Sequence, residues 1–386
     1  MKILIACYKN IGGYSGDVTH VIQVAKGLQK LGHEVQLVAP SIQRYIQDNE
    51  LNIRYIPVLN LRFIQFLSYL FLSPIYFMLY FSEFKPDIVL LFEIHLDLGV
   101  FFACRLLNLP LVFYINGITS EEVSLTLKFR PVICLITLIE NIYVKFASRI
   151  FVVTEAIKNY VKEAYNVSRD KISIVKNGVD AEIFRPIDKE EARKQLGFKQ
   201  DNFFIGFIGS LFVWQGIDYL IEAVPLILKQ IPNVEFVIVG KGNMSKIWQD
   251  KVRGLGLEGN FIFTGVVAFS QVPIYINAFD IGIVFFKPIR TDPGNPIKLY
   301  EYLACGKPVI ASKVTGYGDF VEEIGAGISV DSGNPEAVAE AIISLIRNKR
   351  LREEMGRKGR SAVEAGHTWK GRASEIEHFL FEIKNK

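Results

Sequence analysis

The feature that most constrains this chain is a repeated alternation of short apolar runs with longer amphipathic stretches. Residues 2–7, 35–39, 88–91, 111–115 and 150–153 are apolar runs of strand length. Such runs, lacking polar alternation, read as strands buried on both faces of a parallel sheet. Between them lie helical patterns such as residues 18–31, closed by Gly32. The second half repeats the arrangement at residues 203–209, 234–240, 261–264, 281–285 and 308–311. Alternation of this kind predicts doubly wound α/β domains.

A length of 386 residues is about twice that of a usual domain. Half the residues are hydrophobic and 22% are charged, enough for two large cores and too apolar for a disordered chain. The boundary is expected between Asn177 and Lys199, where Asn177-Gly178 and Arg185-Pro186 mark turns and a charged stretch follows. An N-terminal domain is expected to take residues 1–185 with 368–386, the latter read as an amphipathic helix with an exposed basic end. A C-terminal domain is expected over 186–367. Ligands of open α/β sheets bind beyond the carboxyl ends of the strands, so two such domains would face each other across a ligand cleft.

The net charge of +4 suits an anionic substrate or membrane surface and is too weak to argue for nucleic acid. Cys7, Cys104, Cys134 and Cys305 have neither metal-ligand nor redox-pair spacing, which fits a reducing cytoplasm. Cys7, Cys134 and Cys305 read as small buried hydrophobes. Residues 1–7 are too short for a signal peptide and read as a first strand. Residues 63–82 carry no charge and approach bilayer-spanning length. Strands on both sides and Pro74 within argue for a buried helix, or for one that also dips into a membrane surface on the inner face of the cell membrane.

The most informative stretch runs from Thr291 to Pro308. Asn295 suits a helix N-cap and Pro296 the first helical position, while Gly294 lets the backbone approach a ligand. A helix start of this kind offers free N–H groups to phosphate. Lys298 in the first turn opposes the helix dipole, and a bound diphosphate gives that position a reason. Glu301 lies on the same face, where a carboxylate can accept bonds from two ribose hydroxyls. A surface Lys–Glu pair, worth a few tenths of a kcal/mol, remains open. A second glycine-rich turn, Gly206 to Gly209 and on through Ser210 and Gln215 to Gly216, could admit a phosphate or sugar, or simply turn tightly. A third, Gly12-Gly13 after the first strand, is only loosely like a dinucleotide fingerprint. Residues 37–40 end without an acid, so an NAD-dependent oxidoreductase is poorly supported. His95 and Glu93 sit past a strand end, where either a site or a structural role is open.

Taken together, these residues resemble glycosyltransferase family 4, which has the GT-B architecture. The resemblance covers most of the chain. It includes Gly12-Gly13, His20, Gly32-His33-Glu34-Val35, Pro86-Asp87, Leu109-Pro110, Val152 to Glu155 and Asn177 to Asp180. It continues through Gly209, Gly216, Val239 to Gly242, Phe263 to Gly265, Ala278 to Asp280 and Lys298 to Ser312. The resemblance implies a retaining, metal-independent transferase with no cofactor beyond its nucleoside-diphosphate-sugar co-substrate; the chain has no Asp-x-Asp pair. It implies that the N-terminal domain lies on the acceptor side and that the C-terminal domain binds the nucleotide-sugar donor, with Glu301 on the donor ribose. The backbone of Gly294, Asn295, Pro296 and Leu299, together with Lys298, would bind the diphosphate. Gly265 and Val266 would contact the base, and Gly12 and Gly13 would border donor and acceptor. Many members carry an Arg and a Lys where this chain has Ser210 and Gln215, a second Glu near Asp292 and Pro293, and a His where this chain has Asn116. The catalytic candidates are therefore Lys298, Asn116 and His95. Residues 63–81 with Lys85, and residues 131–146 with Lys128, Arg130 and Lys145, suggest a lipid-linked acceptor beside a carbohydrate one. A catalytically inactive nucleotide-sugar-binding protein is the alternative.

Overall fold

The computed structural model describes residues 1–13, 15–42, 50–59, 61, 64–92, 98–125 and 129–385. The chain forms two compact units, Met1–Gly13 with Asp17–Lys176 and Trp369–Lys386, and Asn177–Thr368. In the first unit the strands are β1 (Lys2–Cys7), β2 (Glu34–Pro40), β3 (Asn52–Ile56), β4 (Ile88–Phe92), β5 (Leu111–Ile115), β6 (Arg149–Val152) and β7 (Ile172–Ile174). They form a parallel sheet in the order β3-β2-β1-β4-β5-β6-β7. The second unit has β8 (Phe203–Ile208), β9 (Val234–Val239), β10 (Phe261–Gly265), β11 (Ile281–Val284), β12 (Val309–Ser312) and β13 (Gly327–Val330). Its order, β10-β9-β8-β11-β12-β13, is again parallel.

Both sheets reverse direction beside their first strand, between β1 and β4 and between β8 and β11. At such a switch point neighbouring loops diverge, and a ligand can enter. Central strands such as β4, β5 and β11 are buried along their whole length, as their continuous apolar runs require.

The division between units falls at 176/177, ahead of the expected 185/186. Residues 177–185 pack with the second unit. Phe184 lies in its core, and Val179 pairs with Thr368 and donates its N–H to the His367 carbonyl at 3.0 Å. Buried Asp280 fastens this unit further: it holds the Arg193 guanidinium at 2.6 Å and the Phe204 N–H at 2.9 Å. Losing one partner of such a buried pair strands the other.

The helix Trp369–Lys384 belongs to the first unit. Its side chains reach His33 (2.8 Å, from Glu377), Arg149 (2.7 Å, from Glu382) and Asp87 (3.0 Å, from Lys384). Lys384 of the basic end is exposed as expected and also paired, and Lys386 lies outside the described residues. Residues 64–82 lie in the helix Ile64–Phe84, which buries Tyr69, Phe77 and Phe81 and exposes Leu67, Phe71 and Ile75. The expected start at Phe63 lies outside the described residues. Among the described residues no helix is long and apolar enough to cross a membrane. Cys134 is a correction: it lies on the outer side of the helix Arg130–Phe146 and is exposed, whereas Cys7, Cys104 and Cys305 are buried.

His20 occupies the middle of the first unit. It stacks on Trp369 (centroids 5.3 Å apart) and meets Tyr114 and Phe92 edge-on. Burial pushes its pKa down from 6.5 to about 3, against smaller opposing effects of Asp17 and Asn116. The folded form keeps this imidazole neutral while the unfolded chain protonates. This contribution to stability is therefore complete above pH 6.5 and is lost as pH falls toward about 3. Denaturant titrations should show stability dropping by about 1.4 kcal/mol per pH unit more in the wild type than in His20→Gln across that window. Parallel pH profiles for the two proteins would contradict it.

Candidate functional site

The site is built where β8, β9 and β10 end and the helix after β11 begins. Gly209 follows β8 with φ +143°, and Gly240 follows β9 with φ +129°. A Cβ on Gly240 would lie 2.0 Å from the Gly209 carbonyl oxygen, and one on Gly209 would lie 2.9 Å from Lys298 Nζ. No other residue type could bring these strand ends and the lysine so close. Gly240 donates its N–H to the Gly265 carbonyl at 2.8 Å, which joins the end of β10 to the same surface. Val266, just beyond, is exposed. Ser210 is half-buried and its carbonyl accepts from Phe212 N–H at 3.1 Å.

Lys298 lies back across the end of β8. Its ammonium donates to Gln215 Oε1 at 2.7 Å and stands 3.8 Å from the centre of the Phe207 ring. The aromatic face supplies negative potential that partly replaces water. Glu301 is on the same helix and is buried at 8% exposure. The two charges feel each other, yet they form no ion pair among the described residues. Burial lowers the Lys298 pKa to about 7 and raises that of Glu301 to about 7, each effect being partly offset by the other residue's charge. A cation and a carboxylate are thus held apart and poorly solvated. That arrangement stores interaction energy for a ligand that brings an anion and hydroxyl donors together.

The helix Ile297–Ala304 starts without a capping side chain. Pro296, not Asn295, holds the cap position (φ −71°, ψ 121°), so the expected placement shifts by one residue. Asn295 is committed elsewhere. Its Oδ1 accepts the Asn177 N–H at 2.7 Å, its Nδ2 donates to Tyr300 Oη at 2.9 Å, and its carbonyl accepts from the Asn177 amide. The N–H groups of Ile297 and Lys298 have no partner among the described residues, and this first turn is half-buried rather than covered. Uncapped N–H groups at a helix start attract anions. Leu299 cannot contribute: its N–H bonds the Pro296 carbonyl at 3.1 Å and its side chain is in the core. Gly294 takes φ +80°, a backbone turn suited to glycine, and a Cβ there would meet only Asp292 Oδ2, at 4.0 Å.

The structure therefore brings Gly209, Gln215, Lys298 and Glu301 together, with Gly265 beside them. Three contributors went unassigned in the sequence: Phe207 beneath the lysine, Gly240 against Gly209, and Asn177 as the clamp on Asn295. Asn177-Gly178 carried a turn signal and a place in the family resemblance, but no role in the site. In the first unit, Gly12 and Gly13 form a turn around Asn10, with N–H bonds of 3.2 and 2.8 Å. Asn116 follows β5; its side chain lies close enough to His20 to act on that imidazole, and its Oδ1 is buried without a hydrogen-bond partner among the described residues. His95, Glu93 and Lys128 lie outside the described residues.

Two Rossmann-type units of this kind, each a parallel sheet with a switch point, have the GT-B architecture. A family model described as glycosyltransferase family 4 matches residues 14–183, and one described as glycosyl transferases group 1 matches residues 188–362. The chain belongs to this family of glycosyltransferases. A glycosyltransferase of Methanocaldococcus jannaschii is 26% identical over all of this chain and 99% of its own length. Another from the same organism is 27% identical, and there the match spans 59% of this chain and 58% of the relative. Among solved structures, sucrose-phosphate synthase from Thermosynechococcus elongatus superposes with a TM-score of 0.82 at 17% identity, covering 99% of this chain and 98% of that one. An Anabaena protein solved in complex with UDP and glucose gives 0.79 at 20% identity, covering 98% and 99%.

Proposed function

We propose that the protein transfers a sugar from a nucleoside-diphosphate sugar to a hydroxyl, with retention of anomeric configuration and without a resident metal. The acceptor is a carbohydrate or lipid-linked chain at the inner face of the cell membrane, in cell-surface polysaccharide or glycolipid synthesis. The observation that carries this reading is Lys298 held over Phe207 beside two unpartnered N–H groups, with Glu301 on the same helix. The UDP and glucose of the Anabaena structure, a protein alike in fold, support the donor class.

In the reaction the bond from the anomeric carbon to the diphosphate breaks, and a bond from the acceptor oxygen forms. The acceptor proton leaves with the diphosphate or to solvent. The main demand is to stabilise negative charge growing on the leaving group. Preset N–H groups and one ammonium do this without reorganising. A diphosphate at the helix start favours the charged lysine, and ribose hydroxyls donating to Glu301 favour its carboxylate. Ser210 and Gln215 replace the cations common in the family, so Lys298 bears the diphosphate charge with the helix dipole. Asn116, beside His20 and with its Oδ1 buried and unpartnered among the described residues, is the N-terminal candidate to act on the sugar.

A thermal-shift screen against UDP-, GDP- and ADP-sugars, followed by transfer of radiolabel from the donor that stabilises the fold, tests the reading. No stabilisation by any of them would end it; binding without transfer or hydrolysis would leave a binding protein. Lys298→Ala should cut kcat by about 10²–10³ with that donor, and an undiminished rate would remove the lysine from the chemistry. Glu301→Ala should raise the donor constant by about ten- to a hundredfold; equal affinity for donor in both proteins would rule out ribose binding. Chelation with EDTA should leave the rate unchanged, and loss restored by a divalent cation would show a metal requirement.

A further inference from the structure

We propose that the outer face of three adjacent helices in the first unit, Ile64–Phe84, Gly99–Leu106 and Arg130–Phe146, docks on an anionic lipid bilayer. The inference deepens the lipid-linked acceptor proposed above and names the surface that would bring the protein to it.

The topology places the three helices side by side. The connections β3 to β4, β4 to β5 and β5 to β6 all advance in one direction along the sheet. Right-handed crossovers therefore put their helices on one face. The first two helices pack together. The second meets the third through Phe101, whose ring lies edge-on to Phe146 at 4.9 Å and whose N–H donates to Tyr143 Oη at 3.1 Å.

Their outward sides are apolar. Leu67, Phe71, Ile75 and Leu79 recur every fourth residue along the first helix, and Phe71 is 77% exposed. Leu106 continues the surface on the second helix and Leu138 on the third, both exposed. Other outer helices of this fold are ordinary: Pro335–Arg347 buries Val338, Ile342 and Leu345 and exposes Glu336, Glu340 and Ser344. An apolar surface of this breadth marks an interaction site.

Charge decides the partner. Lys85 follows the first helix, Arg105 lies in the last turn of the second and Lys145 in that of the third; all three are exposed. The acids on these helices are Glu83 and Glu140 among the described residues. Glu83 pairs with Arg54 at 2.7 Å, and Glu140 is buried and accepts the Tyr165 hydroxyl at 2.9 Å. The face thus presents apolar side chains and cations, and the one exposed acid among its described residues, Glu83, is offset by Arg54. A two-fold dimer through this face would bring the same cationic edge of each copy to one interface. Anionic headgroups neutralise that edge while the apolar side chains enter the acyl boundary.

The test is co-sedimentation of the full chain with phosphatidylcholine vesicles, with and without phosphatidylglycerol, at low and high salt. Binding is expected to favour phosphatidylglycerol by about a hundredfold at low salt and to weaken as salt rises. Phe71→Ser with Ile75→Ser should weaken binding by at least about tenfold. Arg105→Glu with Lys145→Glu should abolish the preference for phosphatidylglycerol, and it carries the test alone if the first variant fails a melting control. No binding to phosphatidylglycerol vesicles, binding indifferent to both variants, or a lipid-free dimer dispersed by the first variant without vesicle binding would each overturn the proposal. The donor thermal shift is read separately. Vesicle binding without any donor shift sinks the transferase reading alone, and a donor shift without vesicle binding sinks only this one.

Discussion

The second unit is organised by the contact of two strand ends that lack side chains. Gly209 and Gly240 meet so closely that a methyl group on Gly240 would collide with backbone. Their approach closes the floor under Lys298 and links it, through the Gly240 to Gly265 hydrogen bond, to the end of β10. Everything proposed for the site stands on that floor. The lysine reaches across it to Gln215, the helix start rises beside it, and Glu301 sits one turn further in.

Such a site gains from poor solvation. A lysine in open water interacts weakly with a phosphate because each is already hydrated. Here burial has taken much of the water away, and the aromatic ring of Phe207 replaces only part of it. The shifts of Lys298 and Glu301 toward each other express the same cost. Gln215 fits this account: a neutral amide carbonyl can orient the ammonium without neutralising it.

The sequence revealed the central strands and concealed most of the edges. β1, β4, β5, β8, β9 and β11 are continuous apolar runs because both faces are covered, and each was readable within a residue or two. β3, β7 and β13, three of the four edge strands, gave no such signal. β3 alternates polar and apolar residues and is half exposed, β7 has only three residues, and β13 opens on Gly327, carries Ser329 and is half-buried at its centre. In the site, helix spacing put Lys298 and Glu301 on one face but left a surface ion pair open, and only the family resemblance gave the two residues a donor role. The cap was misplaced because local propensity favoured Asn295, while a distant partner, Asn177, had claimed its side chain. The role of Gly240 depends on a neighbouring strand, which no local pattern reports.

The docking of Trp369–Lys384 on the first unit carries a consequence for how the protein is made. Synthesis runs from the amino end, so the ribosome completes the entire second unit before this helix appears. Until then the nascent first unit lacks Trp369 above His20 and lacks Glu377 and Glu382, the partners of His33 and Arg149. The first unit to emerge is therefore the last to be sealed, and a chain interrupted after Thr368 would leave a buried histidine facing water.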